Sequence, residues 1–202
     1  MIASNKNLKQ KIKKEIMKKI KNLLMLAAIA MASTTATAQM EKTVMVGGAA
    51  MYPSKNIVEN AVNSKDHTTL VAAVKAAGLV ETLQSAGPFT VFAPTNKAFN
   101  KLPKGTVETL LKAENKKMLQ TVLTYHVVAG KLSAADLVAK IKAGGGKATL
   151  KTVAGPNLTL SLKGKKIQIT DTSGGKSYVT IADVNQSNGV IHVVNAVLVP
   201  KS

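Results

Sequence analysis

"GPFTVFAPTNKAF" occupies residues 87–99. Its first half, residues 89–93 beginning at Phe89, reads as an apolar strand that stops abruptly at Pro94. Thr95 then stands where a helix N-cap would, ahead of Ala98, Phe99 and Leu102 at helical spacing. Phosphate loops and nucleophile elbows are also strand–turn–helix units, so this stretch is either a reactive site or scaffold. A phosphate loop needs glycines, so that backbone amides can approach the phosphates, and a Lys followed by Ser or Thr. An elbow needs small residues around a Ser nucleophile. "FAPTNKAF" has neither, whereas a Thr95 hydroxyl that accepts from an amide of the next turn explains it as scaffold.

Working outward, the chain before this stretch reads as mainly helical. Ser64 or Asp66 is placed to cap a helix carrying Leu70, Val71, Val74 and Ala77 and ending at Gly78. Leu79, Val80 and Leu83 predict a short second helix, closed by Gly87-Pro88. Residues 39–53, broken by Gly47-Gly48 and Pro53, are expected to form a flexible lead-in. Beyond the stretch, residues 106–112 and 115–124 predict two more helices, the second with Met118, Leu119, Val122 and Leu123 in one apolar stripe. Ser133 and Asp136 spell a capping box for a helix through Leu137, Val138 and Ile141 to Gly144-Gly145-Gly146.

After residue 146 the apolar period changes from helical to two. "ATLKTV", "NLTLSLK", "KIQIT", "SYVTIADV" and "VIHVVNAVLV" read as strands, with turns at Gly164, at Gly174-Gly175 and at Asn188-Gly189, the last setting the register of the final strand. Helices gathered in the first half and strands in the second predict an α+β domain with an antiparallel or mixed sheet.

The N-terminus reads differently. A Lys-rich region, the apolar run "LLMLAAIAMA" at 23–32 and small residues at Ala36 and Ala38 describe a secretory signal peptide, residues 1–38, cleaved after Ala38. The run is too short for a membrane span, which needs roughly 20 residues. Met17 opens a more compact form of the same pattern and is an alternative start. Without a Cys there is no lipoprotein attachment, no disulfide, and no thiol chemistry. The protein is therefore expected to be exported, to a periplasm or the medium, with no transmembrane span in its mature chain.

With residues 1–38 removed, 20 Lys and nine acids remain, a formal net of +11, and no Arg is present. Arg is the usual residue for bidentate phosphate and base contacts, and Lys supplies a solvated point charge instead. Such a surface suits diffuse attraction to anionic polysaccharide or envelope polymers. Three Phe, three Tyr and no Trp give no stacking platform for bases, so no specific nucleic-acid partner is expected.

Three His remain as candidates for chemistry. His67 sits in the first turn of a helix and is expected to be exposed. His126 lies in "TYHVV", where a helix gives way to a strand, and His192 lies in the apolar "VIHVV", buried or half-buried. None has metal-ligand spacing and carboxylates are not clustered, so no metal or cofactor is expected. A hydrolase would need a hydroxyl and an acid, Asp136 or Asp183, to converge on His126. A core His bonded to backbone is the competing reading.

Three segments together resemble a fasciclin (FAS1) domain: "FTVFAPTNKAFNKLP" at 89–103, "YHVV" at 125–128 and "NGVIHVVNAVLVP" at 188–200, in the family's order and spacing. "DHTTLVAAVKAAGLVETL" at 66–83 resembles the usual lead-in helices, so the resemblance covers residues 54–202. "VGGAAMYPSKNIVENA" is similar to small secreted bacterial single-domain members. The resemblance implies a β-wedge with helices packed on it. It implies extracellular adhesion or interaction without catalysis, the partner being a cell-surface or matrix protein or polysaccharide. The family's Tyr-His interaction motif falls on Tyr125 and His126, which could equally close a helix and pack. Phe89, Pro94, Thr95, Asn188, Gly189 and His192 fall in the two flanking blocks as structural residues.

Overall fold

The structure is a computed structural model that describes residues 42–201. The signal peptide expected at 1–38, and with it the choice between Met1 and Met17, lies outside the described residues.

From residue 44 the lead-in is folded, which corrects the expectation of a flexible segment. Strands β1 (Val44–Val46) and β2 (Ala49–Met51) pair antiparallel, and Val46 and Met51 are buried. The Gly47-Gly48 pair that interrupts the pattern is the hairpin's two-residue turn. Gly47 has φ +59°, and a Cβ there would lie 2.4 Å from Ser64 Oγ and 2.6 Å from the Asp66 amide nitrogen. The turn is thus pressed onto the chain at residues 64–66, where the Lys65 amide donates to the Gly47 carbonyl at 3.1 Å.

Helix α1 (Ile57–Ala61) was not expected, although its signal is present in the sequence. Asn56 Oδ1 accepts from the amides of Val58 and Glu59, and Glu59 Oε2 accepts from the Asn56 amide, a complete capping box. A 3-10 turn, Lys65–His67, leads into α2 (Thr68–Ala77), followed by α3 (Val80–Gln84). Neither Ser64 nor Asp66 caps α2. Its Thr69 amide donates to Asn96 Oδ1 at 3.0 Å, a cap supplied from the distant "APTNKAF" stretch.

That stretch contains β3 (Phe89–Pro94) and α4 (Asn96–Phe99), with Thr95 Oγ1 accepting from the Ala98 amide at 3.3 Å. Helices α5 (Thr106–Leu111) and α6 (Lys116–Tyr125) follow, then β4 (Val127–Ala129) and α7 (Ala134–Ala143). In α6, Leu119, Val122 and Leu123 are buried, but Met118 is 58% exposed. It lies in the first turn of the helix, only about 40° from Val122 in rotation, where the neighbouring elements leave it uncovered.

The remaining strands are β5 (Lys147–Lys151), β6 (Asn157–Lys163), β7 (Lys166–Thr170), β8 (Lys176–Gln186) and β9 (Gly189–Val194). One mixed sheet runs β4-β3-β9-β8-β7-β6-β5, with β3 and β9 parallel and every other pair antiparallel. All six residues of β9 are buried, so both faces of the sheet centre are covered. On one side Val91, Ala93, Ile191 and Val193 pack with α1, α2 and α6. On the other, Phe92 and Val194 pack with Leu137 and Ile141 of α7 and with Leu158, Leu160 and Ile169. Irregular register between Val179 and Val184 bends β8 around this second core, with Asp183 at φ +56° in the bend. The fold is α+β.

The last strand ends at Val194, short of the predicted run to residue 199, because side chains take over the amides that a sheet would use. Ala196 donates to Ser177 Oγ, Leu198 to His126 Nε2, Val199 to Asp171 Oδ2 and Lys201 to Thr172 Oγ1.

Asn188 ties the turn before β9 to two helices. Its Oδ1 accepts from the Ile57 amide, and its Nδ2 donates to the carbonyls of Leu83 and Ser85. Asn188→Ala strands these buried groups and should cost about 3 kcal/mol in chemical denaturation. Thr95→Ala, which loses one exposed-end cap, should cost about 1 kcal/mol in the same measurement.

Candidate functional site

Tyr125 and His126 close α6, and the structure puts both in the interior, at 0% and 3% exposed. The Tyr125 hydroxyl donates to the Asn157 carbonyl at 2.9 Å and accepts from the Thr172 amide at 3.0 Å. It therefore fastens α6 to β6 and to the β7–β8 loop. His126 Nε2 accepts from the Leu198 amide at 2.9 Å, which assigns the proton to Nδ1, and Nδ1 donates to the Val122 carbonyl at 2.8 Å. Both nitrogens are committed to backbone, so the ring has no free atom with which to accept a proton from a nucleophile.

His192 has the opposite tautomer. Nδ1 accepts from the Asp183 amide at 3.3 Å, so Nε2 carries the proton and donates to the Leu132 carbonyl at 2.8 Å. Its ring stacks on Phe92, with centroids 5.8 Å apart. The Asp183 carboxylate accepts from the Ala134 amide at the start of α7. Asp136 closes the exposed capping box at Ser133. Neither acid bonds to His126; the carboxylate that favours its charged form is Asp171, itself held by the amides of Ser173, Gly175 and Val199. A His126 triad with Asp136 or Asp183 is thus not assembled. Among the described residues no cluster of His, Asp and Glu could hold a metal ion.

His67 corrects another expectation, being 3% exposed rather than solvent-facing. It lines the same interior space as Val46 and Met51 of the hairpin, which no helical periodicity could reveal. Burial lowers the pKa of all three His, most plainly His126, which is pushed down to about 4 against the opposing pull of the Val122 carbonyl and Asp171.

The outward face of β5–β8 is polar and, apart from the buried Gln168, reaches solvent. Directly paired residues share a face, so Lys147, Ser161, Gln168 and Tyr178 form one row across four strands. Thr149, Thr159, Thr170 and Lys176 form the next, Lys151 opposes Asn157, and Lys163 opposes Lys166 beside the turn that carries Lys165. These six Lys are all exposed. Between residues 137 and 201 there are nine Lys and only Asp171 and Asp183 as acids, and both carboxylates accept from backbone amides. The one ion pair among the described residues is Lys112–Glu114 at 4.0 Å, in the segment between α5 and α6 and outside the sheet. Sequence reasoning found the charge; the cross-strand register that gathers it onto one face was missed.

The fold and its inward-turned motifs define an α+β scaffold domain whose signature polar residues serve its own backbone. The chain belongs to the fasciclin domain family, whose model matches residues 65–200. It is 48% identical over 170 residues to protein sll1483 of Synechocystis, spanning 83% of this chain and 87% of that one. It is 36% identical over 145 residues to the immunogenic protein MPB70 of Mycobacterium bovis, spanning 69% of this chain and 66% of that one. A solved FAS1 domain pair from the insect cell adhesion molecule fasciclin I superposes with a TM-score of 0.65 at 19% identity, covering 73% of this chain and 51% of that one. No helix among the described residues is long and apolar enough to cross a membrane.

The unfolded chain protonates each His near pH 6.5, while the folded chain does so only at lower pH. Stability is therefore full above pH 6.5 and falls as pH drops toward 4, His126 alone accounting for about 3 kcal/mol. The His126 ring should titrate near pH 4 by NMR. A midpoint near 6.5 would mean that the ring is open to solvent.

Proposed function

We propose that this protein is an exported adhesion or interaction module without catalytic activity, and that the lysine-bearing face of β5–β8 is its contact surface, taking an anionic polysaccharide of the cell surface or matrix. Membership of the fasciclin domain family supports the adhesive role, since its members include the cell adhesion molecule fasciclin I. The observation that carries the choice of surface is the register of β5–β8. It aligns Ser, Thr, Asn and Gln side chains in rows bordered by exposed Lys, with no carboxylate to neutralise them. Amides and hydroxyls pair with sugar hydroxyls, and Lys pairs with uronate or sulfate groups at strand spacing, without the planar fork that phosphate and base readout favour.

In this reading Tyr125 and His126 are internal anchors. They set the position of α6 and of the C-terminal segment, and they influence binding only by holding the sheet in shape. The signal peptide at 1–38, the lead-in at 39–53 and the domain at 54–202 are the organisation proposed with it, the periplasm or the medium being the destination.

The test is binding of the purified protein to immobilised polygalacturonate across a salt series, with neutral dextran as control. Saturable binding at physiological salt is expected, and reversing two charges on the face, Lys151→Glu with Lys166→Glu, should weaken it at least tenfold. Reversing two lysines outside the sheet, Lys75 and Lys112, should change it little beyond their screened long-range effect. Equal losses from both pairs would reduce the interaction to net charge, and no binding to any acidic polymer would redirect the search to protein partners.

A further inference from the structure

The seven-stranded sheet begins at β4 and ends at β5, and these two edges meet once. The Val153 amide, just past β5, donates to the Val127 carbonyl of β4 at 2.8 Å. Among the described residues no other backbone bond joins the two edges, and they border a groove of about 430 Å³. That volume falls in the range of ligand clefts, roughly 300–1,000 Å³. Val128, Leu132 and Leu150 supply apolar surface, and the exposed residues Ala129, Thr149 and Lys151 line the groove along the two strands. The exposed Lys140 of α7 lines it as well.

Register shows which backbone groups point into this groove. In an antiparallel pair, alternate residues exchange hydrogen bonds with the partner strand, and the residues between them turn their N–H and C=O away. The Thr152 amide donates to the Pro156 carbonyl at 3.3 Å, one step beyond the pairing of Lys151 with Asn157. Leu150 and Ala148 therefore bond to β6, and Thr149 and Lys151 direct their groups to the side on which Val153 meets β4. On β4, the bonds from the Phe92 amide to the His126 carbonyl and from the Gly130 amide to the Pro88 carbonyl commit Val128 to Thr90 of β3. Ala129 is left directed away from β3. Two unpaired strand edges thus flank one groove.

An exposed edge is a template for a further strand. A second copy of β5 is a poor partner, because antiparallel pairing centred on Thr149 would set Lys147 against Lys151, and like charges directly opposite are destabilising. Lys140 and Lys151 line the groove, and no Asp or Glu does, so the complementary strand carries carboxylates. The pleat fixes their positions. A residue opposite the buried Leu150 points inward, and residues opposite Thr149 and Lys151 point outward with them.

We infer that the groove between β4 and β5 takes up an extended segment of a partner protein, with acidic and apolar residues in alternation, which adds to β5 as a strand through the backbone groups of Thr149 and Lys151. An apolar residue packs on Leu150, its acidic neighbours lie beside Lys151, and Lys140 adds to their attraction from α7. The site does not rest on polysaccharide binding by the lysine face. The two share Lys151, but this one is defined by backbone groups.

The probe is an acetylated and amidated hexapeptide of alternating glutamate and valine, titrated into the isotopically labelled protein and followed by NMR. It should saturably shift the amides of Ala129, Thr149 and Lys151 and slow hydrogen exchange at Thr149 and Lys151. The same peptide methylated at each glutamate nitrogen keeps its charge but loses the donors that face β5, and should bind about tenfold more weakly. A lysine–valine hexapeptide should not bind. Thr149→Pro removes a groove-facing donor and no bond to β6, and should weaken binding about tenfold. If that variant fails to fold, the methylated peptide tested on the unaltered protein still decides. Equal affinity for the methylated and unmethylated peptides would reduce the interaction to charge attraction and overturn the inference. Shifts spread over the outward face of β5–β8 with none at Ala129, or no saturable shift at all, would overturn it too.

Discussion

The parallel contact between β3 and β9 constrains everything around it. Gly189 faces Phe89 across this pair, and a Cβ on Gly189 would lie 2.1 Å from the Phe89 carbonyl oxygen. At this end of the ladder the strands can therefore come together only because position 189 lacks a side chain. Once they do, each is covered on both faces, and the chain must build a layer on either side. The helices before residue 126 supply one layer, and α7 with the bent strands β5–β8 supplies the other. Parallel strands also cannot be joined by a tight turn. The ninety-odd residues between β3 and β9 have to travel around the second core and return through Asn188, which explains why that one amide bonds to three distant backbone groups.

This long route leaves many backbone ends outside regular ladders, and buried side chains satisfy them. Asn96 caps α2 from across the domain, His126 and Asp171 hold the last segment, His192 joins the β8 bend to the loop before α7, and Tyr125 fixes the β7–β8 loop. In sequence such residues look like chemistry, because they are polar, set among apolar neighbours and grouped in motifs. In the fold their polar atoms are spent on amides and carbonyls. Burial lowers the basicity of the two His in this set, which further removes them from proton transfer at neutral pH.

Local signals account for what the sequence made legible. The change of period after residue 146, the Ser133–Asp136 box and the Thr95 cap each depend on residues within one turn of each other, and they gave the α+β class and most element positions. The failures were long-range. His67 looks exposed from its own helix because the interior it joins includes Val46 and Met51 of the distant hairpin at 44–51. Met118 shares a helix face with Val122 and Tyr125, so periodicity places it inside, although it is exposed in the first turn. The final strand looked too long because its apolar run continues after side chains have replaced the sheet. The candidate surface was half legible: composition shows the lysines, but only the pairing of Lys147 with Ser161, and onward to Gln168 and Tyr178, shows that they share a face.

Folding and recognition thus draw on separate residue sets. The blocks that identify the family, 89–103, 125–128 and 188–200, contribute mainly interior contacts, so substitutions there act first on stability. The outward positions of β5–β8 contribute little to either core, because they alternate with inward residues, Leu and Ile in β6 and β7, that carry the packing. A strand can therefore exchange Thr, Lys or Ser on its outer side without changing register, since register is fixed by the inner residues and a slip of one would expose them. The same scaffold can accordingly present different chemistry on one face while its core stays intact, and in this chain that face is rich in lysine and free of exposed acid.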